Sequence, residues 1–173
     1  MERKTGRIRP AISKEELEKT WGRVFSEDAQ SALSELCAKA KDERVKELLN
    51  ARPERPKLRV LLSDERPKVR KNAARLIGEL YLPGDFEALK NALFREDTRF
   101  VLPSIVLALG NAGETAAQTL EHYAKNLPPV NGPEDEKHIA ELKEALSAAR
   151  SRCEQKQRRE FTGLKAPAEV VLT

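Results

Sequence analysis

Cysteine is scarce in this chain. Cys37 and Cys153 are the only two, they stand far apart, and neither belongs to a CxxC pattern. That excludes a disulfide framework and a cysteine-based zinc cluster, and both read as reduced thiols of a cytoplasmic protein. Aromatic residues make up only 5% of the chain, and Ala and Leu supply much of its apolar content. This balance favours helices that pack through Leu and Ala over sheets, which draw on aromatic and β-branched residues. No apolar run approaches the roughly 20 residues that span a bilayer. Arg3, Lys4, Arg7 and Arg9 open the chain with no apolar stretch behind them, which excludes a secretory signal.

The residue types that chemistry needs are also sparse. His122 and His138 are the only histidines, with no HExxH and no Cys or His at ligand spacing, so no metal site is expected. No GxSxG is present and neither cysteine has a histidine beside it, so no catalytic nucleophile is expected. Gly84, Gly110 and Gly113 read as helix punctuation rather than a phosphate loop. The pairs Glu15–Glu16 and Glu96–Asp97 fall at helix starts, where caps and the helix dipole explain them.

What the chain does contain is helical periodicity. Ser13 is a candidate N-cap with Glu16 three residues on, ahead of a helix from Lys14 to about Phe25 with Leu17, Trp21, Val24 and Phe25 on one face. Ser26 caps the next stripe, Ala29, Leu33, Leu36, Cys37 and Ala40, and Val45, Leu48 and Leu49 mark a third short helix ending near Pro53. Pro56 opens a helix with Leu58, Leu61 and Leu62. Pro67 opens another with Val69, Ala73, Leu76, Ile77 and Leu80. Further helices carry Phe86 to Phe94, Phe100 to Leu109 and Ala116 to Leu127, and a long one should run from Glu134 to about Gln155 on Ile139, Leu142 and Leu146. The last residues, Ala168 to Thr173, look like an apolar strand. Such a strand is an exposed edge, so it could open a following domain, dock on a partner or belong to a disordered tail.

Two segments superimpose at an offset of 32, Leu61–Leu80 on Leu93–Ala112: Leu61 matches Leu93, Glu65 Asp97, Val69 Val101, Ile77 Leu109 and Gly78 Gly110. Each is a helix, an acidic turn and a second helix, a unit that must stack on its neighbours to bury its apolar face. Leu61, Asp64, Pro67, Val69, Arg70, Ala73, Ala74, Leu76, Ile77 and Gly78 resemble a HEAT repeat over Pro56 to Ala124. The resemblance implies an all-α, right-handed α-solenoid of stacked antiparallel helix pairs, HEAT- or armadillo-like. It also implies a ladder between adjacent repeats in which Asp64 and Arg70 take part. Leu102 stands where the second unit would need its arginine, so the ladder should stop there.

Charge is unevenly placed. Arg52 to Arg75 holds nine basic and three acidic residues, whereas Leu76 to Ser147 holds six basic and twelve acidic. Within the basic band Lys68, Lys71 and Arg75 share one helical face, and Arg55, Lys57 and Arg59 precede them. These six are the candidate phosphate-binding residues, although a solvated helix face explains the same pattern slightly better. Arg150, Arg152, Lys156, Arg158 and Arg159 read better as a basic linker than as a phosphate-tracking arm. The expected organisation is a flexible basic arm over 1–13, a helical repeat domain over 14–155, and a basic linker with the terminal strand over 156–173.

The leading expectation is a non-catalytic scaffold that binds a protein partner or an adjacent domain, in the cytoplasm, with no cofactor, membrane or small-molecule substrate. The basic start, the segment DTRFVLPSIVLALG and the ending AEVVLT also resemble the N-terminal region of certain bacterial RNA methyltransferases, in which an RNA-binding THUMP module and a methylase domain follow. That resemblance implies an RNA-binding accessory domain taking structured RNA, with S-adenosylmethionine belonging to the following domain. A third expectation, a HEAT-like DNA glycosylase, would need Trp21 in a basic groove. Its spacing places it in the core instead.

Overall fold

The computed structural model describes the backbone of residues 13–172 and the side chains of residues 13–159. Every regular element among the described residues is helical. The helices are α1 (Lys14–Arg23), α2 (Ala29–Lys39), α3 (Glu43–Asn50), α4 (Pro67–Leu80), α5 (Asp85–Arg95), α6 (Leu102–Leu109), α7 (Glu114–Ala124) and α8 (Pro133–Leu172). A 3-10 segment spans Arg55–Ser63, and 3-10 turns over Arg99–Val101 and Gly110–Ala112 flank α6.

Local chemistry sets the helix starts. The Ser13 hydroxyl accepts from Glu15 N at 3.1 Å and Glu16 N at 3.4 Å, and Asp42 caps α3 by accepting from Arg44 N at 2.9 Å. Proline lies in the first turn of α4 and α6, where its missing N–H costs nothing. Glu134, Asp135 and Glu136 follow Pro133 in α8 and oppose the helix dipole favourably. The second helix starts later than Ser26 predicts, because Ser26 accepts from Asp28 N and donates to Arg23 O, closing a turn before Ala29. The expected helix at Pro56 is a 3-10 segment, whose tighter winding lines up Leu58 and Leu61 three residues apart against the core.

Packing follows chain order. Helices α2, α4, α6 and α8 lie successively against one another, and each carries a second neighbour: α1 on α2, the 3-10 segment on α4, α5 on α6 and α7 on α8. The core is one continuous cluster, with Leu33, Leu36, Leu58, Leu76, Ile77, Leu89, Leu93 and Leu102 essentially sealed from solvent. Burying each such side chain is worth about 1.5–3 kcal/mol. The glycines paired by the 32-residue offset sit at equivalent crossings. A Cβ on Gly78 would lie 3.1 Å from Ala108 Cβ, and one on Gly110 would lie 3.0 Å from Ala149 Cα. Glycine here lets α4 approach α6, and the end of α6 approach α8.

The C-terminal expectation needs correcting. Residues 156–172 continue α8 rather than forming a linker, and Val170 to Leu172 are helical, not a strand. A helix satisfies its own N–H and C=O groups, whereas no strand exists among the described residues for a terminal strand to pair with. The expected arm over residues 1–12, with Arg7 and Arg9, lies outside the described residues.

Candidate nucleic-acid interface and the buried ion pairs

The basic band divides into residues turned inward and residues left on a surface. Arg55 is turned inward. Its side chain is 2% exposed and forks onto Asp85, which is fully buried, with Nη1–Oδ1 at 3.1 Å and Nη2–Oδ2 at 2.5 Å. Arg59 Nε adds a bond to Asp85 Oδ1 at 2.7 Å, and Leu82 N donates to Oδ2 at 2.8 Å. Arg55 Nε also donates to Asn50 Oδ1, and Asn50 Nδ2 to Leu80 O. One closed polar network thus ties the end of α3, the 3-10 segment, the end of α4 and the start of α5. Burial by itself would push the Asp85 carboxyl up, but the hydrogen bonds from Arg55, Leu82 N and Arg59 together hold it below the usual carboxylate range. Arg55 is therefore structural and does not reach a phosphate, and Arg59 is largely committed to the same carboxylate. Nothing in the sequence around Asp85, which follows Pro83 and Gly84, signals this role.

Arg70 does not pair with the Asp64 side chain. Its guanidinium forks onto Glu96 at 2.9 and 2.8 Å, reaches Thr98 Oγ1 at 3.1 Å, and donates to the Asp64 backbone carbonyl at 2.8 Å. Glu96 is the residue 32 positions beyond Asp64 and repeats its local geometry. Asp64 accepts from Arg66 N and Glu96 from Thr98 N, each two residues on. The Asp64 carboxylate is occupied by Arg66, whose hydrogen bond holds it below the usual range. Arg70 is raised by its hydrogen bonds to Glu96. Arg70 thus ties the first turns of α4 to the turn that follows α5.

Lys57 and Lys68 are exposed and are not among the residues that line the groove reached by the remaining pair, Lys71 and Arg75. Lys71 and Arg75 line a groove of about 1420 Å³ walled by α3, α4, α6 and α8. The far wall brings Arg152, Lys156 and Arg159 to the same groove, three residues assigned to a linker by sequence alone. Their spacing of four and then three residues was the available signal, since it places all three on one helical face. Arg152 Nη1 donates to Leu107 O at 3.1 Å, and Lys156 Nζ to Asn111 O at 2.5 Å while lying 5.3 Å from the Tyr81 ring centroid. Asn111 in turn donates to Gly78 O at 2.8 Å, so the repeat glycine helps to hold the groove floor. On the α3 side, Lys41 pairs with Glu79 at 2.5 Å and Lys46 with Glu43 at 3.0 Å.

The remaining candidates settle into ordinary roles. Trp21 is 2% exposed, and its indole N–H donates to Glu54 at 2.8 Å, a buried aromatic with its polar atom satisfied. Cys37 and Cys153 are buried in contact with the backbone carbonyls of Asn72 and Gly110. Burial pushes the Cys37 thiol up to about 11 and also raises Cys153, which makes both poor nucleophiles. His122 lies against Phe94, and His138 lies 3.5 Å from Glu141 on its own helix. Among the described residues no group of three His, Cys, Asp or Glu is arranged to hold a metal ion, and no helix is long and apolar enough to cross a membrane.

Fold and site together define an all-helical protein with one broad groove whose uncancelled charge is positive. No protein family, no characterised protein and no solved structure matches this chain.

Proposed function

We propose that this chain is a non-catalytic interaction scaffold of HEAT-like build, a solenoid of helix pairs that presents its α3–α4–α6–α8 groove to a macromolecular partner or a neighbouring domain. The observation that carries this reading is the groove lining. It gathers seven lysines and arginines against three glutamates on a surface built by four helices. The 32-residue offset supports the architecture, because Gly78 and Gly110 both sit at close helix approaches and Asp64 and Glu96 both accept from the backbone N–H two residues on. The accessory-domain reading for RNA methylation loses one of its motives, since the terminal strand is helical. It keeps another in the basic groove.

The reading is tested with a photocrosslinking side chain placed in living cells at Gln155, which lines the groove, and at Val60, which is 70% exposed elsewhere. Adducts at Gln155 that are absent at Val60 are expected. A chain that stays unadducted at both positions overturns the scaffold reading.

A further inference from the structure

We infer that the groove binds duplex nucleic acid through its sugar–phosphate backbone, without reading sequence. The inference rests on the scaffold reading and names its partner. Three observations bear on it.

The first is charge that stays uncancelled. Lys71, Arg75, Arg152, Lys156 and Arg159 line one groove, and none of them makes an ion pair with a carboxylate among the described residues. Their contacts are neutral: Arg75 Nη1 reaches Asn72 Oδ1 at 3.3 Å, while Arg152 and Lys156 rest on backbone carbonyls. Such contacts fix the side chains in place and leave their full charge facing the groove. Three of the five are arginines, whose forked donors match phosphate oxygens. Two of the glutamates that line the groove, Glu43 and Glu79, are already neutralised by Lys46 and Lys41.

The second is that no strongly exposed large hydrophobic residue lines the groove. Protein interfaces centre on desolvated aromatic or aliphatic side chains. The exposed large hydrophobic residues, Phe25, Leu48, Val60, Phe94 and Val130, all lie outside this groove. An acidic protein would find charge here and only the half-buried Tyr81 and Leu107 to pack against.

The third concerns the one aromatic ring in the lining. Sequence-tolerant binding of single strands uses free aromatic faces on which bases stack. Tyr81 is half-buried and overlaid by the Lys156 ammonium, so its ring does not offer a free stacking platform. Phosphate contacts along a duplex are what the remaining groups can make, and RNA and DNA share that chemistry.

The test uses the full chain with a fluorescent 20-base-pair RNA duplex, the matching DNA duplex, one RNA strand alone and a polyglutamate peptide of equal charge. Duplex binding should weaken with salt with a log–log slope of about −4, since each phosphate neutralised contributes about −0.9. The double variant Lys71→Gln, Arg75→Gln should bind at least tenfold more weakly and flatten that slope by about 2. The double variant Lys57→Gln, Lys68→Gln removes the same charge outside the groove and should bind within threefold of the parent. Thermal melting of both variants checks that each is folded. Preference for the RNA or the DNA duplex identifies which of the two the groove takes, and either supports the inference. Equal loss in the two double variants overturns it, as does tighter binding of the single strand. Polyglutamate binding as tightly as the duplexes overturns the nucleic-acid assignment and leaves the scaffold reading standing, whereas no binding by any probe together with no adducts at Gln155 removes both.

Discussion

Arg55 and Arg75 lie in the same basic band and differ entirely in what surrounds them. Arg55 is enclosed by the ends of three elements, with a carboxylate in its fork and an amide on its Nε. Arg75 is exposed on α4, with one neutral contact and the groove beside it. Taking a guanidinium out of water costs several kcal/mol, which the Asp85 network offsets only because every partner is present. Arg75 keeps most of its hydration and has no such debt. A cation with a buried, fully bonded carboxylate serves the fold, and a cation with only neutral contacts remains available to an outside anion.

The largest effect should come from breaking the enclosed side of this comparison. Asp85→Ala leaves Arg55 buried without its counter-charge and should cost about 3–5 kcal/mol of stability, read from urea or thermal unfolding. A loss below about 1 kcal/mol would mean that water reaches Arg55 freely and that the network is not a structural element.

A smaller effect should follow from acid. The Asp85 carboxyl titrates below its unfolded value, so its stabilisation is complete above about pH 4, where the unfolded carboxylate is ionised, and is lost as pH falls through the depressed folded value. Asp64, also lowered, acts in the same direction. The parent chain should therefore lose stability steeply below about pH 4, and Asp85→Ala should show a flatter acid limb. Parallel acid limbs in the two proteins would place the pH dependence elsewhere.

The smallest effect belongs to the open side. Lys71→Gln with Arg75→Gln should change stability by no more than about 0.5 kcal/mol, the range of ordinary surface substitutions. A cost above 1 kcal/mol would show that these cations support the fold, and would narrow the contrast with Arg55.

The apolar stripes were legible in the sequence because a helix buries residues at fixed spacing. Leu17 and Trp21, Leu33 and Leu36, Leu76 and Ile77, and Ile139, Leu142 and Leu146 all face the core as their periodicity predicts. Boundaries were less legible where local chemistry competes with helix. Ser26 closes a turn instead of capping, and Pro56 lies in a 3-10 segment. The site was half legible. Local charge density points to Lys71 and Arg75, whereas nothing in the sequence shows that α8 continues past Gln155 and carries Lys156 and Arg159 to the groove that Arg152 also lines.

By itself the sequence determined the all-helical class and the core stripes, because backbone periodicity and capping act over a few residues. Tertiary structure alone decided which arginines are spent inside and which face outward. Burial and ion pairing depend on groups such as Asp85 and Glu96, 30 and 26 residues away along the chain, and only the folded packing brings them within hydrogen-bonding distance.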